Sequence, residues 1–254
     1  MRNDPGFWTV AVYAVMLAAG ATAARGQSYD LDRGFPTEVI DAYPAEHQAL
    51  QVQTLLRYEN TDGGGDRVLL EPEVQYGFAP NWHVEASIPI LAGNADRTGS
   101  GDFRVAALWN FLPEDDAPVA LAVEGQLTFP TGRNTAGIDP MMTLAATKTL
   151  STGESQDRLH ANLGVEYNAG NDNDERQSRW VGIIGYSRVL DERTVLVFDL
   201  IREQERQEHQ DETILEAGAT RELDDQWTVA GGLGIGLGDD SPRFRLQVGV
   251  QWKR

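Results

Sequence analysis

The chain has 254 residues, with 21 Lys and Arg, 39 Asp and Glu, no Cys and a formal net charge of −18. The acidic excess argues against binding to nucleic acid, which requires clustered basic side chains, and the lack of cysteine excludes disulfides, thiolate metal sites and a cysteine nucleophile. A mean hydropathy of −0.38 excludes a bundle of membrane-spanning helices.

Residues 1–26 are predicted to be a cleavable signal peptide. The apolar run Phe7–Ala19 has the length of a signal-peptide core, and small residues suited to cleavage follow it. A single membrane anchor is the alternative, since Phe7–Ala24 covers 18 residues. The absence of a basic stop favours cleavage, and we therefore expect export from the cytoplasm.

Residues 27–46 show no strong periodicity and contain Pro36 and Pro44. Two interpretations stay open for this N-terminal segment. It folds into the interior of the following domain as a plug, or it lies in the periplasm.

The rest of the chain alternates between apolar and polar residues, which is the period of a β-strand. Phe244, Leu246, Val248, Val250 and Trp252, for example, alternate with mainly polar residues. We predict twelve strands, at 47–58, 66–78, 82–91, 101–112, 118–130, 140–150, 157–168, 178–190, 193–203, 212–223, 226–238 and 242–252. Within 140–150 and 178–203 the alternation is weaker, because both faces carry apolar residues.

The connections between these strands alternate in length, with short turns following one set of strand ends and longer polar loops following the other. An even number of antiparallel strands with this asymmetry is typical of a transmembrane β-barrel. We therefore predict an all-β fold, a twelve-stranded antiparallel barrel of outer-membrane type over residues 47–252.

Aromatic residues sort by strand end and favour a membrane barrel over a soluble one. Eight steps of about 3.3 Å separate Phe244 from Trp252, a span close to the apolar height of an outer-membrane barrel. The soluble alternative would place its polar face outside. The two sets are Phe78, Trp82, Trp109, Phe111, Trp227 and Trp252 near the short turns, and Tyr58, Phe103, Phe129, Tyr167, Trp180 and Phe244 near the loops.

Several stretches resemble the outer-membrane, transporter-like barrels labelled "MetA-pathway of phenol degradation". The resemblance covers most of residues 50–252, and its most specific parts are Gly101-Asp102 opening one strand and Phe129–Gly132 closing another. It implies a porin-like protein in a Gram-negative outer membrane that takes up aromatic or other small organic solutes. The implied partners are outer-membrane lipids, these solutes and the barrel insertion machinery.

Many polar and charged residues fall on the faces predicted to point into the lumen. They are the candidate lumen-lining residues Glu71, Glu73, His83, Glu85, Arg104, Glu124, Gln126, His160, Glu166, Arg243 and Arg245. Two interpretations coexist: a charged constriction that selects solutes, with its acidic strands favouring cations, and a Glu–Arg network that fills the lumen, since unpaired charge there is costly. Twelve strands predict a narrow or partly blocked passage.

No catalytic, cofactor-binding or metal-binding residues are predicted, and we expect no enzymatic activity. His83, Glu85 and Ser87 share a face, but i and i+4 lie about 13 Å apart along a strand, too far for direct contact. A structural barrel without transport and a membrane-embedded lipid hydrolase, with His160 beside a hydroxyl of another strand, are the alternative functions.

The glycine run from Gly232 to Gly238 lacks the spacing of a dinucleotide fingerprint. Its glycines alternate with Leu233, Ile235 and Leu237, which leaves the lumen face without side chains. Such a face permits barrel curvature or the close approach of a plug.

Two long loops are strongly acidic, at 171–175 and 203–212. Oxygen ligands of this kind can hold a divalent cation, although acidic runs are more often solvated loop tips, which is the interpretation we favour here.

Overall fold

The structure is a computed structural model that describes residues 31–61, 64–94, 98–132, 135–151, 155–170 and 175–254. The predicted signal peptide lies outside these residues. No helix in the described part of the chain is long and apolar enough to cross a membrane.

The described residues form one antiparallel sheet of fourteen strand segments. They are β1 (Leu50–Asn60), β2 (Asp66–Ala79), β3 (Trp82–Ser87), β4 (Ile90–Gly93), β5 (Gly99–Ser100), β6 (Phe103–Leu112), β7 (Ala120–Phe129), β8 (Asp139–Thr149), β9 (Asp157–Tyr167), β10 (Ser178–Asp191), β11 (Thr194–Gln204), β12 (Asp211–Glu222), β13 (Trp227–Gly236) and β14 (Phe244–Lys253).

The sheet closes on itself because β1 pairs with both β2 and β14. Segments β3 and β4 both pair with β2 and form one barrel strand, and β5 and β6 pair with them in turn to form the next. The result is the predicted closed barrel of twelve antiparallel strands. The interruption between β3 and β4 includes Pro89, which has no N–H for the ladder.

Side chains alternate across the barrel wall with the predicted inversion of polarity. Outward apolar residues such as Ile184, Leu163 and Val165 are more than half exposed to the surroundings. Inward residues such as Gln247 and Glu216 are almost completely buried. Closure pairs the backbone groups of every strand, as a hydrocarbon environment requires.

Aromatic side chains cluster at both ends of the outer surface. At the short-turn end, the rings of Trp82 and Trp109 stack with centroids 5.1 Å apart. At the opposite, long-loop end, Phe103 lies 6.2 Å from Phe129 across neighbouring strands. Aromatic belts of this kind mark the two membrane–water interfaces.

Residues 31–45, called here the luminal segment, lie inside the barrel. The backbone N–H groups of Val39, Ile40 and Ala42 donate hydrogen bonds to side chains of β11, β9 and β8, respectively. Farther along the segment, the N–H of Ala45 donates to Nδ1 of His83 at 3.0 Å. The segment therefore obtains its backbone hydrogen bonds from inward side chains of the wall.

Apolar residues of the luminal segment pack on inward apolar side chains of the wall. Leu31 and Val39 share a buried cluster with Ile183, Val197 and Ile201. These contacts explain why β10 and β11 carry apolar residues on both faces: one face meets lipid and the other meets the luminal segment.

Glycines on the lumen face give the luminal segment its space. A Cβ atom at Gly232 would lie 2.4 Å from the carbonyl oxygen of Pro36, and one at Gly249 would lie 2.6 Å from the ring of Phe35. Both distances are too short for any larger residue. The close approach that the glycine run predicts is therefore present.

Candidate functional site

A cavity of about 580 Å³ occupies the long-loop half of the barrel and is called here the vestibule. Its rim includes Ser100, Gly132 and Arg206, which lie near the long loops. Its floor is formed by the luminal segment through Arg33 and Phe35. Below this floor, inward side chains such as Gln75 and Asn110 are almost completely buried, so the vestibule ends on the luminal segment.

Charged side chains dominate the vestibule wall, and acids outnumber bases among the described residues that line it. The arginines are Arg33, Arg57, Arg67, Arg104, Arg179, Arg206 and Arg245, and the acids are Glu38, Glu59, Glu71, Glu73, Glu85, Asp102, Asp139, Glu166, Glu203, Glu205 and Glu212. The formal charge of this lining is therefore negative.

The most buried ion-pair network of the wall is centred on Arg245. Its guanidinium donates to Glu59 at 2.6 Å and to Glu216 at 2.8 Å. All three side chains are nearly inaccessible to solvent. Arg57 adds an ion pair with Glu38 of the luminal segment. The network fixes the luminal segment to β1, β12 and β14.

Other pairs cross the wall nearer the vestibule. Arg104 donates to Glu71 at 2.8 Å, and Nη2 of Arg179 lies 2.6 Å from Glu166. These pairs fit the predicted Glu–Arg network, and they also surround an open space. The structure thus contains the features of both interpretations, a paired network and a charged cavity.

The candidate lumen-lining residues fall into four groups. His83 and Glu124 lie against the luminal segment, His160 is buried in the wall, and Arg243 is exposed just before β14. The members that line the vestibule are Glu71, Glu73, Glu85, Arg104, Gln126, Glu166 and Arg245.

His160 does lie beside a hydroxyl of another strand. Its Nε2 is 2.7 Å from Oγ of Ser187, and its Nδ1 is 3.1 Å from Oγ1 of Thr147. All three side chains have 2% exposure or less. A nucleophile must be reached by its substrate, so this geometry fits a hydrogen bond that joins β8, β9 and β10 better than a hydrolytic centre.

The luminal segment contributes ion pairs to the lumen that its sequence pattern does not indicate. Arg33 donates to Glu124 at 3.1 Å, and Asp41 lies 3.6 Å from Arg158. Burial raises the pKa of Asp32 to about 6 and that of Asp41 to about 7. In both cases burial disfavours the charged form of the carboxyl group. Periodicity gives no signal for such a segment.

The two motifs that carry the family resemblance meet at the rim of the vestibule. The backbone N–H of Gly132 donates to Oδ1 of Asp102 at 2.8 Å, and the N–H of Phe103 donates to Oγ1 of Thr131 at 2.8 Å. A Cβ at Gly132 would approach Asp102 within 2.9 Å. The motifs therefore fix two neighbouring strand ends to each other.

The closed barrel, the apolar outer band and the two aromatic belts define an outer-membrane β-barrel. Residues 48–253 match the family described as "Putative MetA-pathway of phenol degradation". The chain belongs to this family, in agreement with the resemblance found in its sequence. No curated protein matches the chain significantly.

Solved structures of outer-membrane proteins share this fold. An outer membrane channel from Pseudomonas putida F1 is 15% identical with a TM-score of 0.62, and the alignment covers 89% of this chain and all of that one. The NanC porin is 12% identical with a TM-score of 0.57, covering 80% of this chain and 98% of its own. The KdgM porin is 12% identical with a TM-score of 0.55, and the alignment covers 79% of this chain and 98% of that one.

Proposed function

We propose that this protein is a passive channel for small organic solutes in the outer membrane. The observation that carries the proposal is the vestibule, which opens among the long loops and ends on the luminal segment. Its volume of about 580 Å³ lies within the range of sites that hold small molecules. The family description and the channels of the same fold support this assignment.

The vestibule lining suits solutes with an apolar or aromatic body. Phe35, Leu55, Leu69 and Ile183 contribute apolar surface beside the charged groups. The excess of carboxylates disfavours anions, so neutral or cationic molecules are the expected solutes. The phenol-degradation label of the family agrees with an aromatic solute.

Passage through the barrel requires the luminal segment to move, because it fills the short-turn half. Beside its apolar contacts, the segment is held to the wall by polar ones, among them the ion pairs Arg33–Glu124 and Glu38–Arg57. Water and ions can replace such contacts more readily than tightly packed apolar ones. The luminal segment is therefore the proposed gate of the channel.

Planar-bilayer recordings and liposome uptake test this function directly. The mature protein should give discrete conductance steps with a preference for cations, and phenol or benzylamine should enter proteoliposomes faster than benzoate. Replacing Glu71 and Glu73 by Gln should reduce the cation preference, since both carboxylates line the vestibule.

Glu192→Gln is the matched control, because this exposed residue lies in a short turn far from the vestibule. The proposal would be overturned if the protein gave no conductance steps and if solute entered proteoliposomes no faster than protein-free liposomes. That result would instead favour a structural barrel without transport.

A further inference from the structure

Three carboxylates meet where β11 and β12 join, at the rim of the vestibule. Glu203 ends the inward face of β11, Glu212 begins that of β12, and Glu205 belongs to the loop between them. One carboxylate oxygen from each of the three lies within 4.8 Å of the other two. Glu203 and Glu212 are also direct partners in the strand register, and like charges placed directly opposite each other destabilise a strand pair.

The surroundings of Glu212 also point to a ligand. Its side chain belongs to a residue with only 8% exposure, and it faces the vestibule. Among the described residues, none donates a hydrogen bond to its carboxylate or forms an ion pair with it. Its carboxylate thus faces the cavity without a direct partner, a position that a bound cation would stabilise.

Nearby arginines already have other carboxylate partners. Arg179 pairs with Glu166 at 2.6 Å, Arg202 with Asp211 at 2.9 Å, and Arg206 with Glu175 at 2.9 Å. The nearby arginines thus pair directly with other acids, and none of them forms a direct ion pair with the three convergent carboxylates among the described residues.

We propose that Glu203, Glu205 and Glu212 bind one Ca²⁺ ion at the vestibule rim. Ca²⁺ accepts several carboxylate oxygens in flexible geometry and completes its shell with water, whereas Mg²⁺ demands a stricter octahedron and keeps more of its water. The site lies at the long-loop end of the barrel. By joining β11, the loop and β12, the ion would hold the 205–210 loop beside the vestibule. This binding does not depend on solute flux.

Calcium binding to the full refolded chain in detergent, freed of metal by chelation, tests the site. Equilibrium dialysis with Ca²⁺ alone should show one saturable ion per chain with a Kd of about 10⁻⁴ to 10⁻³ M, the range of extracellular calcium modules. Glu212→Gln and Glu203→Gln should each weaken binding by about tenfold, because ligand charge sets affinity. Glu208→Gln, on the same loop but exposed, should leave the Kd within about twofold.

A second measurement separates lost binding from lost folding. Ca²⁺ should raise the thermal unfolding midpoint of the parent protein and of Glu208→Gln equally, and should raise that of Glu212→Gln less at the same Ca²⁺ concentration. No saturable binding by the parent protein, or equal affinity after both Glu212→Gln and Glu203→Gln, would overturn the proposal. Should Glu212→Gln fail to refold, Glu205→Gln in the loop provides the same comparison.

Discussion

Ion pairs stabilise the most buried charged residues inside this barrel. Arg245 is 4% exposed and contacts Glu59 and Glu216. In a space of low dielectric constant, each of these carboxylates would be costly without the guanidinium. The same requirement explains why the luminal segment carries Arg33 and Glu38, which meet wall residues of opposite charge.

Arg245→Met removes this guanidinium and should lower the free energy of unfolding by about 3–5 kcal/mol, since it leaves buried carboxylates unpaired. Urea titration of the refolded barrel measures the change. Arg188→Met is the control: its side chain is 49% exposed and lies 3.7 Å from Asp157, so the loss should stay below about 1 kcal/mol. Equal losses in the two variants would show that the Arg245 network is not a principal source of stability.

Strand β13 shows how one element serves two environments. Its outward residues Leu233 and Ile235 are apolar, while Gly232 and Gly234 on the lumen face leave room for other chain segments. A Cβ at Gly234 would meet Arg245 and Glu216 at 3.2 Å. The element is therefore shaped by the parts of the protein inside the barrel as much as by the lipid outside.

Gly232→Val should displace the luminal segment, because even its Cβ would overlap the Pro36 carbonyl. We expect larger single-channel conductance or longer open times in planar bilayers. Gly231→Val, at the neighbouring outward position, has no atom nearer than 4.0 Å to its added Cβ and should leave the conductance unchanged. Identical records from the two variants would argue against the luminal segment as the gate.

The whole molecule is defined by closure, which joins β1 to β14 and leaves no free sheet edge. Closure satisfies the backbone and turns every outward residue toward lipid. It also creates the enclosed space in which a non-periodic segment can fold. The outer surface, the vestibule and the luminal segment are therefore consequences of one topology.

Ile184→Arg tests the lipid-facing surface at mid-height, where Ile184 is 67% exposed in the middle of β10. Arginine there should reduce the unfolding free energy in lipid vesicles by about 2–4 kcal/mol, compared with about 0–1 kcal/mol for Leu237→Arg just beyond the end of β13. The contrast arises because the cost of a charge depends on membrane depth. A similar effect at both positions would contradict the proposed placement of the membrane.

The sequence alone determined the twelve strands, their inward and outward faces, the aromatic belts and the outer-membrane class. These features repeat every two residues or recur at strand ends, so local patterns are sufficient to find them. The sequence predicts 82–91 as one strand, because the alternation continues across Pro89 even where the ladder breaks. It predicts the next strand to begin at 101, and it therefore misses β5 at Gly99–Ser100.

Only the tertiary structure decided what fills the lumen and which charges meet. Residues 31–45 have no periodicity, and their partners lie as far away as Gln247, which donates to the carbonyl of Pro36 at 2.6 Å. The convergence of Glu205 with Glu203 and Glu212 likewise depends on how a loop turns back over the barrel. A strand pattern specifies the direction of a side chain, whereas its neighbours across a closed barrel are set by strand register and closure.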